Sequence, residues 1–115
     1  MRKVALFMAI ILMLSMPLNV SAAPRAWNAF PSLGFEDTTA VCEVEVLGDK
    51  ATDHIEVTMK LMRGNYCEAT WIADDYGYLY MLEYDTVTKG HTYQLVVEVK
   101  INGVANTPVS VSGTC

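Results

Sequence analysis

The sequence predicts an all-β fold: an antiparallel β-sandwich of six to seven strands preceded by a helical signal peptide. Three observations predict it. From residue 38 onward, apolar and polar residues alternate with a period of two. Turn residues interrupt the alternation at intervals of about 8–12 residues. No helical period follows the N-terminal apolar stretch, so no crossover helices are available for a parallel sheet.

The elements follow in chain order. Arg2 and Lys3 precede an apolar run from Val4 to Leu14, too short to span a bilayer comfortably. The run ends at Pro17, and Val20-Ser21-Ala22 supplies small residues for a signal peptidase, so residues 1–22 read as a signal peptide cut after Ala22. Residues 23–37 carry Pro24 and Pro31 and no sustained period, giving an irregular leader or a first strand. Its Trp27, Phe30, Leu33 and Phe35 are expected to cover one edge of the core; the competing reading makes them a contact for a partner.

Residues 38–115 form the sandwich domain. Cys42, Val44 and Val46 alternate with Val41, Glu43 and Glu45 before a turn at Gly48-Asp49-Lys50. Ile55, Val57, Met59 and Leu61 repeat the pattern against Glu56, Thr58 and Lys60, up to Arg63-Gly64-Asn65. In the next strand, 66–73, Cys67, Ala69 and Trp71 share a face opposite Glu68 and Thr70, and Asp74-Asp75-Tyr76-Gly77 reads as a turn. Segment 78–87 is apolar on both faces, and the reading puts Tyr80, Leu82 and Tyr84 inward. After Lys89-Gly90, Tyr93, Leu95, Val97, Val99 and Ile101 face inward, with Gln94, Glu98 and Lys100 outward, until Asn102-Gly103. Pro108 to Ser112 supplies a last edge strand.

Charge and cysteines bound the function. The chain has 8 Lys and Arg against 13 Asp and Glu; loss of Arg2 and Lys3 with the signal takes the formal charge from −5 to −7. Such a chain lacks the basic stripe that neutralises phosphates, which disfavours nucleic-acid binding and a polybasic membrane anchor. The protein is expected to be secreted, with no membrane association after cleavage. Cys42, Cys67 and Cys115 then meet an oxidising compartment, where one disulfide and one leftover thiol are expected. The wide spacing of the three argues against structural zinc.

The stretch Val87-Thr88-Lys89-Gly90-His91-Thr92-Tyr93-Gln94-Leu95 resembles the E–F corner of fibronectin type III and related immunoglobulin-like domains, where Gly-x-x-Tyr begins strand F. The resemblance makes Gly90 and Tyr93 structural corner residues, with the tyrosine hydroxyl bonding back to the corner backbone. Residues 38–115 also look like small secreted immunoglobulin-like proteins of Gram-positive bacteria, through Leu61-Met62-Arg63-Gly64, Trp71, the Lys-Gly-x-Thr-Tyr corner and the Asn-Gly turn. An antibody-type domain places a cysteine two residues after the corner tyrosine, where this chain has Leu95, so the usual inter-sheet disulfide is absent. The topology implied by the resemblance sets Cys42 and Cys115 at one end of the domain, which favours a Cys42–Cys115 bridge over Cys42–Cys67. It leaves Cys67 as the free thiol.

Sites of chemistry are sparse. His54 and His91 belong to no nucleophile motif, and a Cys67–histidine thiol site is disfavoured because Cys67 is expected to be buried beside Trp71. Asp49, Asp53, Asp74 and Asp75 read as solvated turn residues in preference to a calcium loop. Tyr76, Tyr78, Tyr80 and Tyr84 raise an aromatic platform for sugar or peptide; cross-strand packing is favoured, although the opposite register would present rings to solvent. The expected function is that of a non-enzymatic, cofactor-free interaction module for a protein or glycan partner, with a small secreted antagonist (an enzyme inhibitor or bacteriocin-like factor) as the alternative. A monomer is expected, with a covalent dimer through Cys67 as the competing state.

Overall fold

The computed structural model describes residues 27–115; the signal-peptide reading of 1–22 and the first residues of the 23–37 leader lie outside the described residues. Among the described residues there are eight strands: β1 (Asn28–Glu36), β2 (Thr39–Leu47), β3 (His54–Arg63), β4 (Tyr66–Tyr76), β5 (Tyr78–Thr86), β6 (Thr92–Ile101), the two-residue β7 (Val104–Ala105) and β8 (Val109–Thr114). One sheet runs β1-β2-β5. The other runs β4-β3-β6, and β7 and β8 both pair with the free side of β6. All pairings are antiparallel, and the architecture is compatible with a β-sandwich.

The two sheets share one apolar core. It receives Ala40, Cys42, Val44 and Val46 from β2, Ile55, Val57, Met59 and Leu61 from β3, Leu79 and Met81 from β5, and Tyr93, Leu95, Val97 and Val99 from β6. The period of two on β2, β3 and β6 selects these residues, because successive side chains on a strand point to opposite faces. Full burial of one such aliphatic side chain contributes about 1.5–3 kcal/mol. Most of the leader is strand β1: Trp27 is buried, Leu33 and Phe35 pack against the core, and Phe30 points out.

Segment β5 departs from the expected register. Leu79 and Met81 are buried, and Tyr80, Leu82 and Tyr84 face solvent. A segment apolar on both faces does not encode its own inward side. Pairing with β2 decides it, because Val44 opposite Met81 and Val46 opposite Leu79 bring aliphatic side chains together inside.

The expected turn at 74–77 is also shorter than its sequence suggests. Strand β4 continues to Tyr76, and Gly77 alone carries the chain from one sheet to the other. Gly77 has φ +77, its N–H donates to Asp53 O at 2.8 Å, and its carbonyl accepts from Gly48 N–H at 2.9 Å. Asp53 fixes the facing loop. Its Oδ2 accepts from the N–H groups of Asp49 and Lys50 at 3.0 Å each, and its Oδ1 accepts from Asn102 Nδ2 at 3.0 Å. The Lys50 N–H, then the Asn102 amide, hold its carboxyl below the usual carboxylate range.

A Cβ at Gly77 would lie 2.9 Å from Ala51 Cα, whereas one at Gly64, also in the left-handed region, would meet nothing within 4 Å. Gly64→Ala is therefore expected to cost about 1–2 kcal/mol through its left-handed backbone alone, and Gly77→Ala about 1–3 kcal/mol more than that, through the added conflict with Ala51. Urea unfolding of the two variants checks the order; equal losses would show that the crossing is not tightly packed.

Candidate functional site

The outward side of the three-stranded sheet is built from alternate residues of β1, β2 and β5. Its cross-strand rows are Asn28, Leu47 and Tyr78; Phe30, Glu45 and Tyr80; Ser32, Glu43 and Leu82; Gly34, Val41 and Tyr84; and Glu36, Thr39 and Thr86. Four aromatic rings stand on this surface at high exposure, from Tyr78 at 45% to Tyr84 at 59%. Contiguous exposed apolar surface of this kind marks interaction sites more often than it decorates a monomer.

Two carboxylates occupy the centre. Tyr78 OH donates to Glu45 Oε2 at 2.8 Å, and Tyr80 OH donates to Glu43 Oε2. Each ring leans along the strand to the carboxylate of the adjoining row, within reach of a diagonal cross-strand neighbour. Burial, followed by the bond to Glu45, pushes the Tyr78 phenol up to about 12. For Tyr80 the bond to Glu43 leads and burial follows, again to about 12. Among the described residues, every charged one on the face is acidic: Glu36, Glu43 and Glu45.

The other sequence-predicted residues lie elsewhere. Tyr93 is buried, and its hydroxyl accepts from Thr88 N–H at 2.9 Å; Gly90 N–H donates to Cys115 O at 3.1 Å. His54 Nε2 lies 2.8 Å from Asp74 Oδ2, and its ring stacks on Tyr76 at 4.8 Å. This cluster sits at one end of β3, eight residues from Met62, the β3 residue that pairs with Cys67. A strand rises about 3.3 Å per residue, so His54 and Cys67 are separated by most of the sheet's length. Among the described residues no three of His, Cys, Asp and Glu are grouped to hold a metal ion. The outward side of the second sheet carries a groove of about 410 Å³ over Glu56, Thr58, Glu98 and Lys100, with Ile72 and Asn106 on its rim.

All three cysteines are free, which corrects the expected Cys42–Cys115 bridge. Cys115 Sγ donates to Asp37 O at 3.3 Å at the β1–β2 turn. Cys42 lies deeper, in the row of Leu33 and Glu83, and the row of Phe35 and Ala40 intervenes. A disulfide needs Cα atoms within about 4.4–6.8 Å of each other. Cys67 is exposed instead of sharing the inward face with Trp71. A bulge is responsible: Met62 pairs with Cys67 but Leu61 with Ala69, so Glu68 is an extra residue that reverses the facing of everything before it. Cys67 Sγ donates to Ala69 O at 3.4 Å and lies 3.2 Å from Thr70 Oγ1.

No family model matches this chain, and no curated protein matches it either.

Alkylation at neutral pH is expected to modify Cys67 first. Cys42 should resist until the fold opens, since it is fully buried and burial, with Asp85 and Glu83 nearby, pushes its thiol up to about 11. Mass mapping of a time course checks this; equal rates at Cys42 and Cys67 would contradict the packing. For the tyrosines, an ultraviolet pH titration should show two phenolates appearing only near pH 12. Both should move down in a Glu43→Gln/Glu45→Gln variant, which removes the anionic acceptors. A phenol raised in the fold stabilises below its unfolded pKa of about 10, and that contribution is lost as pH rises through about 12.

Proposed function

We propose that the protein is an extracellular, non-enzymatic interaction module that engages a protein or glycan partner through the outward face of β1, β2 and β5. The single observation that carries this reading is the exposed array of Phe30, Tyr78, Tyr80 and Tyr84 around Glu43 and Glu45. Aromatic side chains left in water on a rigid sheet cost solubility, and contact with a partner offsets that cost.

The scaffold is read as immunoglobulin-like. In support, the strand order β1-β2-β5 facing β4-β3-β6-β8 follows the A-B-E and C′-C-F-G arrangement of fibronectin type III domains. The corner bond from Thr88 N–H to Tyr93 OH agrees with it. The charged start and short apolar run of residues 1–22 support secretion, and the resemblance of residues 38–115 to small secreted proteins of Gram-positive bacteria supports action at a cell surface.

The test is a two-dimensional NMR titration of the purified protein with chitohexaose and with a lysine-rich peptide. Shifts produced by at least one probe should concentrate on Phe30, Tyr78, Tyr80 and Tyr84. A Tyr80→Ala/Tyr84→Ala variant that keeps its fold should lose about tenfold or more in affinity, since a contact worth 1.4 kcal/mol is a factor of ten. Shifts confined to the groove over Glu56 and Lys100, or no shifts with either probe, would overturn the assignment.

A further inference from the structure

We infer that the occupant of the tyrosine–glutamate face is an extended, basic polypeptide segment whose alternate lysine or arginine side chains lie over the rings and bond Glu43 and Glu45. The inference rests on the proposed binding face and specifies the chemistry of its ligand. Three observations carry it.

The first is the inventory of hydrogen-bonding groups. At the centre of the face the two phenol protons are already donated, Tyr78 to Glu45 and Tyr80 to Glu43. A carboxylate offers about four acceptor sites on two oxygens, and each tyrosine uses one on Oε2. The centre therefore presents acceptors and ring faces while its strongest donors are occupied. A neutral sugar brings hydroxyls that need acceptors and donors alike. An ammonium or guanidinium brings donors alone and gains from the ring quadrupole as well.

The second is charge. Among the described residues no Lys or Arg stands on this face, and its three charges, Glu36, Glu43 and Glu45, are all negative. On other surfaces three cations stand against carboxylates: Lys60 with Glu98 at 3.2 Å, Arg63 with Glu68 at 2.8 Å and Lys89 with Asp37 at 2.9 Å. Glu43 and Glu45 have neutral tyrosine partners instead, so their field is left for a ligand. The same argument removes a second copy as occupant, because face-to-face pairing would set carboxylate against carboxylate.

The third is spacing. Tyr78 and Tyr80, like Glu43 and Glu45, are two residues apart on a strand, a repeat of about 6.8 Å. An extended peptide repeats its same-side residues at that interval. Basic residues at alternate positions thus meet successive ring–carboxylate units without adjustment.

The experiment titrates the purified protein with an eight-residue peptide alternating lysine and serine, with its glutamate–serine counterpart, and with chitohexaose. Binding is followed by calorimetry and by NMR shifts. The lysine peptide should bind with shifts at Tyr78, Tyr80 and Tyr84, and the glutamate peptide should not bind. Affinity should fall at least tenfold between 50 and 300 mM salt, as the Debye length shrinks from about 14 to about 6 Å. Glu43→Gln/Glu45→Gln, in which the amide oxygen still accepts from tyrosine, should weaken binding at least tenfold. Leu82→Lys, which puts a cation into the face at an exposed position, should abolish it even if the double variant fails to fold. Lysine-peptide binding that survives these changes, or that maps to Asp74 and Asp75, overturns the inference. Chitohexaose shifting the face while the lysine peptide does not would overturn the basic ligand yet keep the face. Silence of the face toward both probes would remove the two together.

Discussion

The pairing of Val44 with Met81 and of Val46 with Leu79 is the contact on which the rest of the molecule depends. It seals the core along the edge of the three-stranded sheet. It also decides, by the period of two, that Tyr78, Tyr80, Leu82 and Tyr84 face solvent. A slip of one residue would bury four large side chains, three of them with phenol oxygens, and expose Leu79 and Met81. The core has no partner for those hydroxyls, and an unpaired buried hydroxyl costs about 1–3 kcal/mol. The aliphatic residues go inside because they leave no polar atom unsatisfied, and the surface face follows from that choice.

Strand β5 is also an edge, and its far end shows how the fold manages this. Glu83 and Asp85 lie on the inward side, half-buried beyond Met81, opposite Cys42 and Ala40. Inward-pointing charges on an edge strand oppose the addition of a further strand. Here they also act on Cys42, whose thiol is pushed up to about 11 by burial first and by these two carboxylates second. On the opposite sheet, β4 is an edge as well. Its bulge at Glu68 twists the start of the strand, and Arg63 donates to Glu68 at 2.8 Å across it. One irregularity thereby blunts an edge and turns Cys67 into the exposed thiol.

Much of this was legible in the sequence where one face of a strand was apolar and the other was not. Strands β2, β3 and β6 satisfied that condition, and Val44, Met59 and Leu95 lie in the core where their alternation puts them. Segment β5 did not satisfy it: Tyr80 and Leu82 carry as large an apolar body as Leu79 and Met81, and only the phenol oxygens and the partner strand distinguish the two faces. The aromatic surface was therefore visible as a composition of tyrosines but not as a surface. Cys67 failed for another reason. A bulge inserts one residue without any marker in the local pattern, so strict alternation placed the thiol on the face of Trp71. The cysteine pairing depended on depth within the sheet, which separates Cys42 from Cys115 at the rim and which no spacing along the chain reports.

The same geometry explains why a face on this sheet makes a stiff recognition surface. Its rings and carboxylates stand on strands whose backbones are fixed by pairing on β2, the central strand. The two central tyrosines lose rotamer freedom when they bond Glu45 and Glu43, and that loss is taken on folding, before any ligand arrives. A ligand then has little left to order except itself. Tyr84 and Phe30 flank this fixed centre without such bonds to the two glutamates, so the face grades from a rigid middle to more adaptable margins. A surface built this way gains selectivity from the spacing of its central units and tolerance from its edges.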